Sequence, residues 1–200
     1  MTTLPLPWDE VRSWRKSERE RLTHERQTIA SQQRQRWDVH IIEVLGQILE
    51  EQDCAVLSLY WPFRGEPDLR PLLTTLRAND VVVALPVVVE KGQPLQFREW
   101  QEGGKLERGV WNILYPADGK LVEPDVVIAP VVGFDRAGYR LGYGGGFFDR
   151  TLAALGDSVR AVGVGYSQAE VPTIHPQPHD IPMSVIVTES GVIKPPTGAD

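Results

Sequence analysis

A three-layer α/β/α domain built on an open, largely parallel sheet is the fold class that this sequence predicts, on three observations. Short runs rich in β-branched residues recur at 54–60, 81–89 and 126–132, the pattern of strands buried on both faces. Segments with helical spacing stand between or beside them, in the rhythm of parallel crossovers. A glycine-rich stretch at 142–146 joins the last of these runs to a helix. With 200 residues, 42% hydrophobic and 24% charged, the chain has the composition of one domain with a real core.

Two helices open the chain. Residues 9–26 are strongly charged and poor in apolar residues, so this helix is expected on the surface with its arginines exposed or turned toward a ligand. In 37–52, Ile41, Val44, Leu45, Ile48 and Leu49 recur at i, i+3, i+4, i+7 and i+8, which puts one apolar stripe against a core. After residue 53 the period changes. The runs CAVLSLY (54–60) and VVVALPVVV (81–89) read as buried strands, joined by a helix over 68–76 with Leu69, Leu72, Leu73 and Leu76 on one side. LQFREW (95–100) alternates like a half-exposed strand. VVIAPVV (126–132), the helix FFDRTLAAL (147–155), and the strands AVGVGY (161–166) and SVIVTE (184–189) complete the sheet. The predicted organisation is one domain over 1–200: N-terminal helices at 9–52, a sheet core at 53–190 and a flexible tail at 191–200.

Charge and cysteine usage exclude several classes. A net charge of −6 and a pI near 5.3 argue against a nucleic-acid surface, because counterion release needs a basic face. Cys54 is the single cysteine, so neither an internal disulfide nor a zinc-finger spacing exists. The N-terminal residues lack the apolar centre of a signal peptide, and no apolar stretch approaches a membrane span. The expectation is a cytoplasmic monomer that acts on a small molecule.

The chemistry is concentrated in residues 133–150, GFDRAGYRLGYGGGFFDR. Glycines admit φ > 0 and bring backbone N–H groups close to a ligand, and the helix start that follows adds unpaired N–H groups and a positive dipole end. The geometry suits phosphate, although the spacing matches neither the P-loop nor the dinucleotide fingerprint. A strand-to-helix connection that binds nothing is the alternative. Arg140 and Arg150 can neutralise phosphate oxygens. Asp149, in the first helical turn, can hold Mg²⁺ against phosphates or simply favour the helix N-terminus. Asp135 is expected to fix the loop by accepting backbone amides.

The stretch RLGYGGGFFDR, preceded by APVVGFDRAGYR, closely resembles the signature of the 5-formyltetrahydrofolate cyclo-ligase family. Further blocks resemble that family in the same order: LYWPFRGEPDLRPLL (59–73), ALPVV (84–88), VWNILYP (110–116) and HDIPMSVIVTE (179–189). The resemblance implies an ATP- and Mg²⁺-dependent ring closure of 5-formyltetrahydrofolate to the 5,10-methenyl form, with ADP and phosphate released. The formyl oxygen is phosphorylated, N10 attacks the activated carbon, and phosphate departs. No covalent protein nucleophile is needed.

Carried over residue by residue, the resemblance implies a nucleotide site at Arg140, Gly142, Tyr143, Gly144, Gly145, Gly146, Phe147, Phe148 and Asp149, with Arg12 and Lys16 reaching it from the first helix. It assigns Arg140 and Asp149 to catalysis, Asp149 and Asp180 to Mg²⁺, and Glu66 to the pterin ring. Trp61, Trp111, Phe147 and Phe148 become the apolar wall of the folate pocket. The chain departs from the family at Trp8, Tyr143 and Gly145, where basic residues are common. That departure motivates a second reading, a relative that retains the pocket and no longer catalyses closure.

Overall fold

The computed structural model describes residues 6–51 and 54–196. Two long helices, α1 (Trp8–Thr28) and α2 (Ser31–Glu50), precede the sheet. The strands are β1 (Val56–Ser58), β2 (Val82–Val87), β3 (Gln96–Glu99), β4 (Leu106–Arg108), β5 (Leu114–Pro116), β6 (Val126–Pro130), β7 (Gly133–Phe134), β8 (Arg140–Leu141), β9 (Arg160–Val164), β10 (Val185–Thr188) and β11 (Gly191–Ile193). Helix α3 (Leu72–Ala78) crosses from β1 to β2, and α4 (Phe147–Leu155) leads from the glycine loop toward β9. Among the described residues no helix is long and apolar enough to cross a membrane.

Seven strands form the main sheet in the order β11-β10-β9-β6-β1-β2-β3. The five central strands are parallel, and the two edges, β3 and β11, run antiparallel to their neighbours. Alternation along β6 explains why both faces are covered. Val126 and Ile128 enter one core with Ile41 and Leu45 of α2 and Leu72 and Leu76 of α3. Val127 and Ala129 enter the other with Leu22 of α1 and Leu152 of α4. The period of two in the strand thus selects the two helical layers. The open α/β/α sandwich expected from the sequence is the fold observed.

Several boundaries differ from expectation. Helix α2 starts at Ser31, well before Trp37, because its polar first turn belongs to the same helix. Helix α3 begins only at Leu72: Asp68 Oδ1 accepts the Arg70 N–H at 3.1 Å, and Pro71 then caps the helix, so buried Leu69 belongs to a turn. Gly191–Ile193, expected in a flexible tail, pairs with β10 instead. The small β4–β5 and β7–β8 hairpins are too short to show a period in the sequence.

The largest correction concerns α1. Most of it is exposed as expected, Arg12 and Arg21 included, but two of its arginines are turned into the protein. Val11, Arg15, Leu22 and Arg26 fall on one buried face, so two arginines occupy positions that normally carry apolar residues. Cys54 is half-buried, and burial beside Asp125 pushes its thiol up to about 11, as befits an inert packing residue.

Candidate active site

The sheet reverses its winding between β1 and β6, and ligands of open α/β sheets bind outside the strand ends at such a switch point. Tyr60 and Trp61 beyond β1, Pro86 to Val88 at β2, and Pro130 of β6 line a cleft there, with about 120 Å³ of cavity space that opens to solvent. The glycine loop and the start of α4 form its opposite wall, and Val110, Ile113, Leu114 and Tyr115 close its side. The lining is apolar apart from a few polar groups, notably Glu66, Arg140 and Asp149.

Glu66 is delivered by a tight turn. Arg64 (φ 48°) and Gly65 (φ 75°) both adopt left-handed backbone and turn the chain inward. Both carboxylate oxygens are held: Tyr143 Oη donates to Oε1 at 2.6 Å, and the Phe63 N–H donates to Oε2 at 2.8 Å. Arg26 lies 4.0 Å from Oε1. Burial dominates over these partners and pushes the carboxyl up to about 7.

Asp135 closes the β7–β8 turn. Its carboxylate accepts the N–H groups of Ala137, Tyr139 and Ile174 at 3.0–3.2 Å, the structural role its position suggested. β8 then presents Arg140, whose buried guanidinium donates to Asp149 Oδ1 at 3.0 Å and to the Ile181 carbonyl at 3.1 Å. The Ile181 N–H also donates to Asp149 Oδ1 at 3.1 Å. Asp149 Oδ2 has no hydrogen-bond partner among the described residues, and the side chain is 20% exposed at the cleft. Burial lowers the pKa of Arg140, with the neighbouring carboxylate opposing the shift.

Between β8 and α4 the loop takes left-handed backbone at Gly144 (φ 91°) and Gly146 (φ 62°). Two arginines hold it from outside. Arg19 Nε donates to the Gly142 carbonyl at 2.7 Å, and Arg150 Nη2 donates to the Gly145 carbonyl at 2.5 Å. A Cβ on Gly144 would stand 3.5 Å from the Arg19 guanidinium, and one on Gly146 would stand 2.9 Å from Arg150 Nη1. Arg150 Nε is buried without an acceptor among the described residues.

The sequence model of the 5-formyltetrahydrofolate cyclo-ligase family matches residues 11–189 of the chain. The chain belongs to that family. Similar curated relatives named 5-formyltetrahydrofolate cyclo-ligase include that of Haemophilus influenzae, 30% identical over 68% of this chain and 76% of the relative. The Escherichia coli K12 relative is 34% identical over 68% of this chain and 79% of its own length. Among solved structures, Aquifex aeolicus 5,10-methenyltetrahydrofolate synthetase aligns at TM-score 0.80 with 28% identity, covering 93% of this chain and 95% of that one. A Mycoplasma pneumoniae 5,10-methenyltetrahydrofolate synthetase, 22% identical, shares the fold at TM-score 0.74 over 88% of this chain and 98% of that one.

In this cyclo-ligase fold, one cleft gathers Trp61, Glu66, Arg140, Phe147, Phe148 and Asp149 with Gly142, Tyr143, Gly145 and Gly146 of the glycine loop, whereas Gly144 does not line it. Arg70 stands over the Trp61 ring at 5.6 Å, Arg140 over Phe148 at 5.7 Å, and Arg150 over Phe147 at 5.3 Å. The Trp111 side chain lies outside the described residues. Asp180 sits at the same corner as Asp149, one residue before Ile181, with both its oxygens engaged by Arg15 and the Gln177 N–H.

The α1 assignments divide. Lys16 is exposed and lines a surface groove with Arg19, Arg64 and Tyr143. Arg12 is exposed and does not line the cleft. The α1 arginines that touch the loop are Arg19 and Arg26, the second through Tyr143 Oη at 2.7 Å. Arg15, Arg19, Leu22 and Arg26 recur at helical spacing after Val11, but a stripe with only two apolar members does not read as a core face in the sequence. Trp8 is 47% exposed and packs edge-on to His179.

Proposed function

We propose that the chain closes 5-formyltetrahydrofolate to 5,10-methenyltetrahydrofolate with ATP and Mg²⁺, releasing ADP and phosphate. One observation carries the reading: a buried carboxylate and a glycine loop flanked by arginines face one apolar cleft at the switch point of the sheet. The donor set fits both partners. Glu66 keeps a second lone pair on each oxygen for the amino and N–H donors of a pterin, and the aromatic wall suits a flat ring.

The loop fits a polyphosphate, because Arg19, Arg140 and Arg150 surround positive-φ glycines and the Arg150 Nε donor is unmet. Asp149 Oδ2 fits a hard cation that also takes water and phosphate oxygens. Asp180 fixes Arg15 at this corner, and its Oδ1, which accepts from Arg15 alone among the described residues, keeps a lone pair for the second Mg²⁺ position.

ATP supplies a phosphoryl group that turns the formyl oxygen into a leaving group. The protein positions reactants and neutralises charge. Glu66 anchors the pterin, the apolar wall excludes water, and Arg140, held against Asp149, directs its charge toward the loop. Arg19 and Arg150 bring positive charge to the loop despite Tyr143 and Gly145, which favours the catalytic reading over a lapsed relative.

The test is absorbance in the methenyl band after mixing protein, 5-formyltetrahydrofolate and Mg²⁺, with and without ATP. A rise that needs ATP supports the reading. No rise with folded protein sinks it.

A further inference from the structure

Tyr143 leaves the glycine loop between Gly142 and Gly144, and its ring turns away from the phosphate side toward the turn that carries Glu66. The ring packs on Phe63 (centroids 5.8 Å apart), with the guanidinium groups of Arg26 and Arg64 5.9 and 6.0 Å from its centre. Its hydroxyl accepts from Arg26 Nη2 at 2.7 Å and donates to Glu66 Oε1 at 2.6 Å. Arg26 is itself pinned, donating to the Arg64 carbonyl at 3.1 Å and the Val131 carbonyl at 3.3 Å. The hydroxyl thus joins the phosphate-binding loop, an anchored arginine of α1 and the carboxylate proposed to bind pterin.

We infer that Tyr143 is a positioning residue that couples nucleotide binding at the glycine loop to folate binding at Glu66. The inference rests on the cyclo-ligase reading above and deepens it. The geometry makes Tyr143 an orienter and not a competitor: a carboxylate has about four lone-pair sites, and Tyr143 and the Phe63 N–H use one on each oxygen. A phosphate held by the loop amides fixes the backbone at 142–146, and with it the position of the hydroxyl. The carboxylate is then held in plane, with a lone pair on each oxygen turned to two further donors. Burial beside Glu66 raises the phenol pKa, so the hydroxyl remains a donor throughout the neutral range. A nucleotide should therefore tighten folate binding, and folate should tighten nucleotide binding by the same factor.

Calorimetric titration of 5-formyltetrahydrofolate, with and without Mg²⁺ and a non-hydrolysable ATP analogue, tests this in the wild-type chain and in Tyr143→Phe. The wild type should bind folate at least about fivefold tighter with the analogue present, and Tyr143→Phe less than about twofold tighter. In steady-state turnover, the variant's KM for folate should rise more than its kcat falls, a split that a general loss of folded protein would not give. If Tyr143→Phe does not fold, Tyr143→Leu, which also lacks the hydroxyl, carries the comparison. Equal coupling in the wild type and a folded variant, or none in the wild type, overturns the inference alone. Failure of the wild type to bind either ligand overturns the cyclo-ligase reading together with it.

Discussion

Arg15 of α1 and Asp180, 165 residues later, form a buried ion pair that ties the N-terminal helix to the loop before β10. The arginine also donates to the Ile174 and His175 carbonyls at 3.0 and 2.9 Å, and Asp180 accepts the Gln177 N–H at 2.7 Å. Both side chains are almost fully enclosed, 6% and 7% exposed. Removing one partner leaves an uncompensated buried charge, a loss of ~3–5 kcal/mol. Asp180→Ala should lower stability by about that much in urea denaturation. Burial alone would raise the Asp180 pKa, yet the bonds from Arg15 and Gln177 outweigh it and the net shift is downward. The carboxylate's stabilising contribution is therefore present above its unfolded value and is lost as pH falls through the lower folded one. The wild-type minus Asp180→Ala difference should shrink in acid.

Asp149 is expected to matter for chemistry more than for folding. Asp149→Asn keeps an oxygen for Arg140 and the Ile181 N–H and removes the charge that faces the cleft. Turnover should fall by ~10²–10³-fold, the scale of losing one preorganised electrostatic contact, while folate affinity by calorimetry stays within about twofold. A variant that keeps a tenth of the wild-type rate, on that same scale, would remove Asp149 from the metal site.

Glu66 gives the opposite pH signature from Asp180. The groups facing it are Arg26 of α1, Tyr143 of the loop, Tyr60 beyond β1 and the Phe63 amide; burial outweighs the bonds that favour its charge. Because the folded value, about 7, lies above the ordinary 4.5, the folded chain keeps a proton that the unfolded chain has released. Stability is fully present below the unfolded value and is lost as pH rises through about 7. At ~1.4 kcal/mol per pH unit, the gap amounts to ~3.5 kcal/mol. Glu66→Gln should be relatively more stable at pH 8 than at pH 5 by that order. Equal differences at the two pH values would mean that Glu66 is ionised in the folded protein throughout this range.

How far the sequence reveals this arrangement depends on whether a residue's role is local. The parallel strands were legible because β-branched runs have no other economical fold. The glycine loop was legible because its backbone freedom is a property of the residues themselves. Arg15 and Arg26 were not, since a charged residue on a helix reads as solvated unless its partners are known, and theirs lie at 174–180 and at 64, 131 and 143. Tyr143 misled for a related reason. Counted by type, it is a missing cation; placed in the fold, it is the donor to Glu66.

Gly146 and Gly156 bracket α4 and separate backbone strain from loop chemistry. Both have positive φ, 62° and 70°; an alanine costs ~1–2 kcal/mol at Gly146, in the left-handed region, and ~1–3 kcal/mol at Gly156, whose ψ of −162° is nearly closed to other residues, so both alanine variants should lose stability. Their surroundings differ. A Cβ at Gly156 meets nothing within 4 Å, whereas one at Gly146 stands 2.9 Å from Arg150 Nη1, whose guanidinium also holds the Gly145 carbonyl. Gly146→Ala therefore shifts the Arg150 guanidinium that holds the loop, and Gly156→Ala has no such effect. Steady-state kinetics should show KM for ATP raised about tenfold, equivalent to ~1.4 kcal/mol, in Gly146→Ala and nearly unaltered in Gly156→Ala. If both variants shift KM alike, the change reflects α4 as a whole, and Arg150 has no separate part in holding the loop for phosphate.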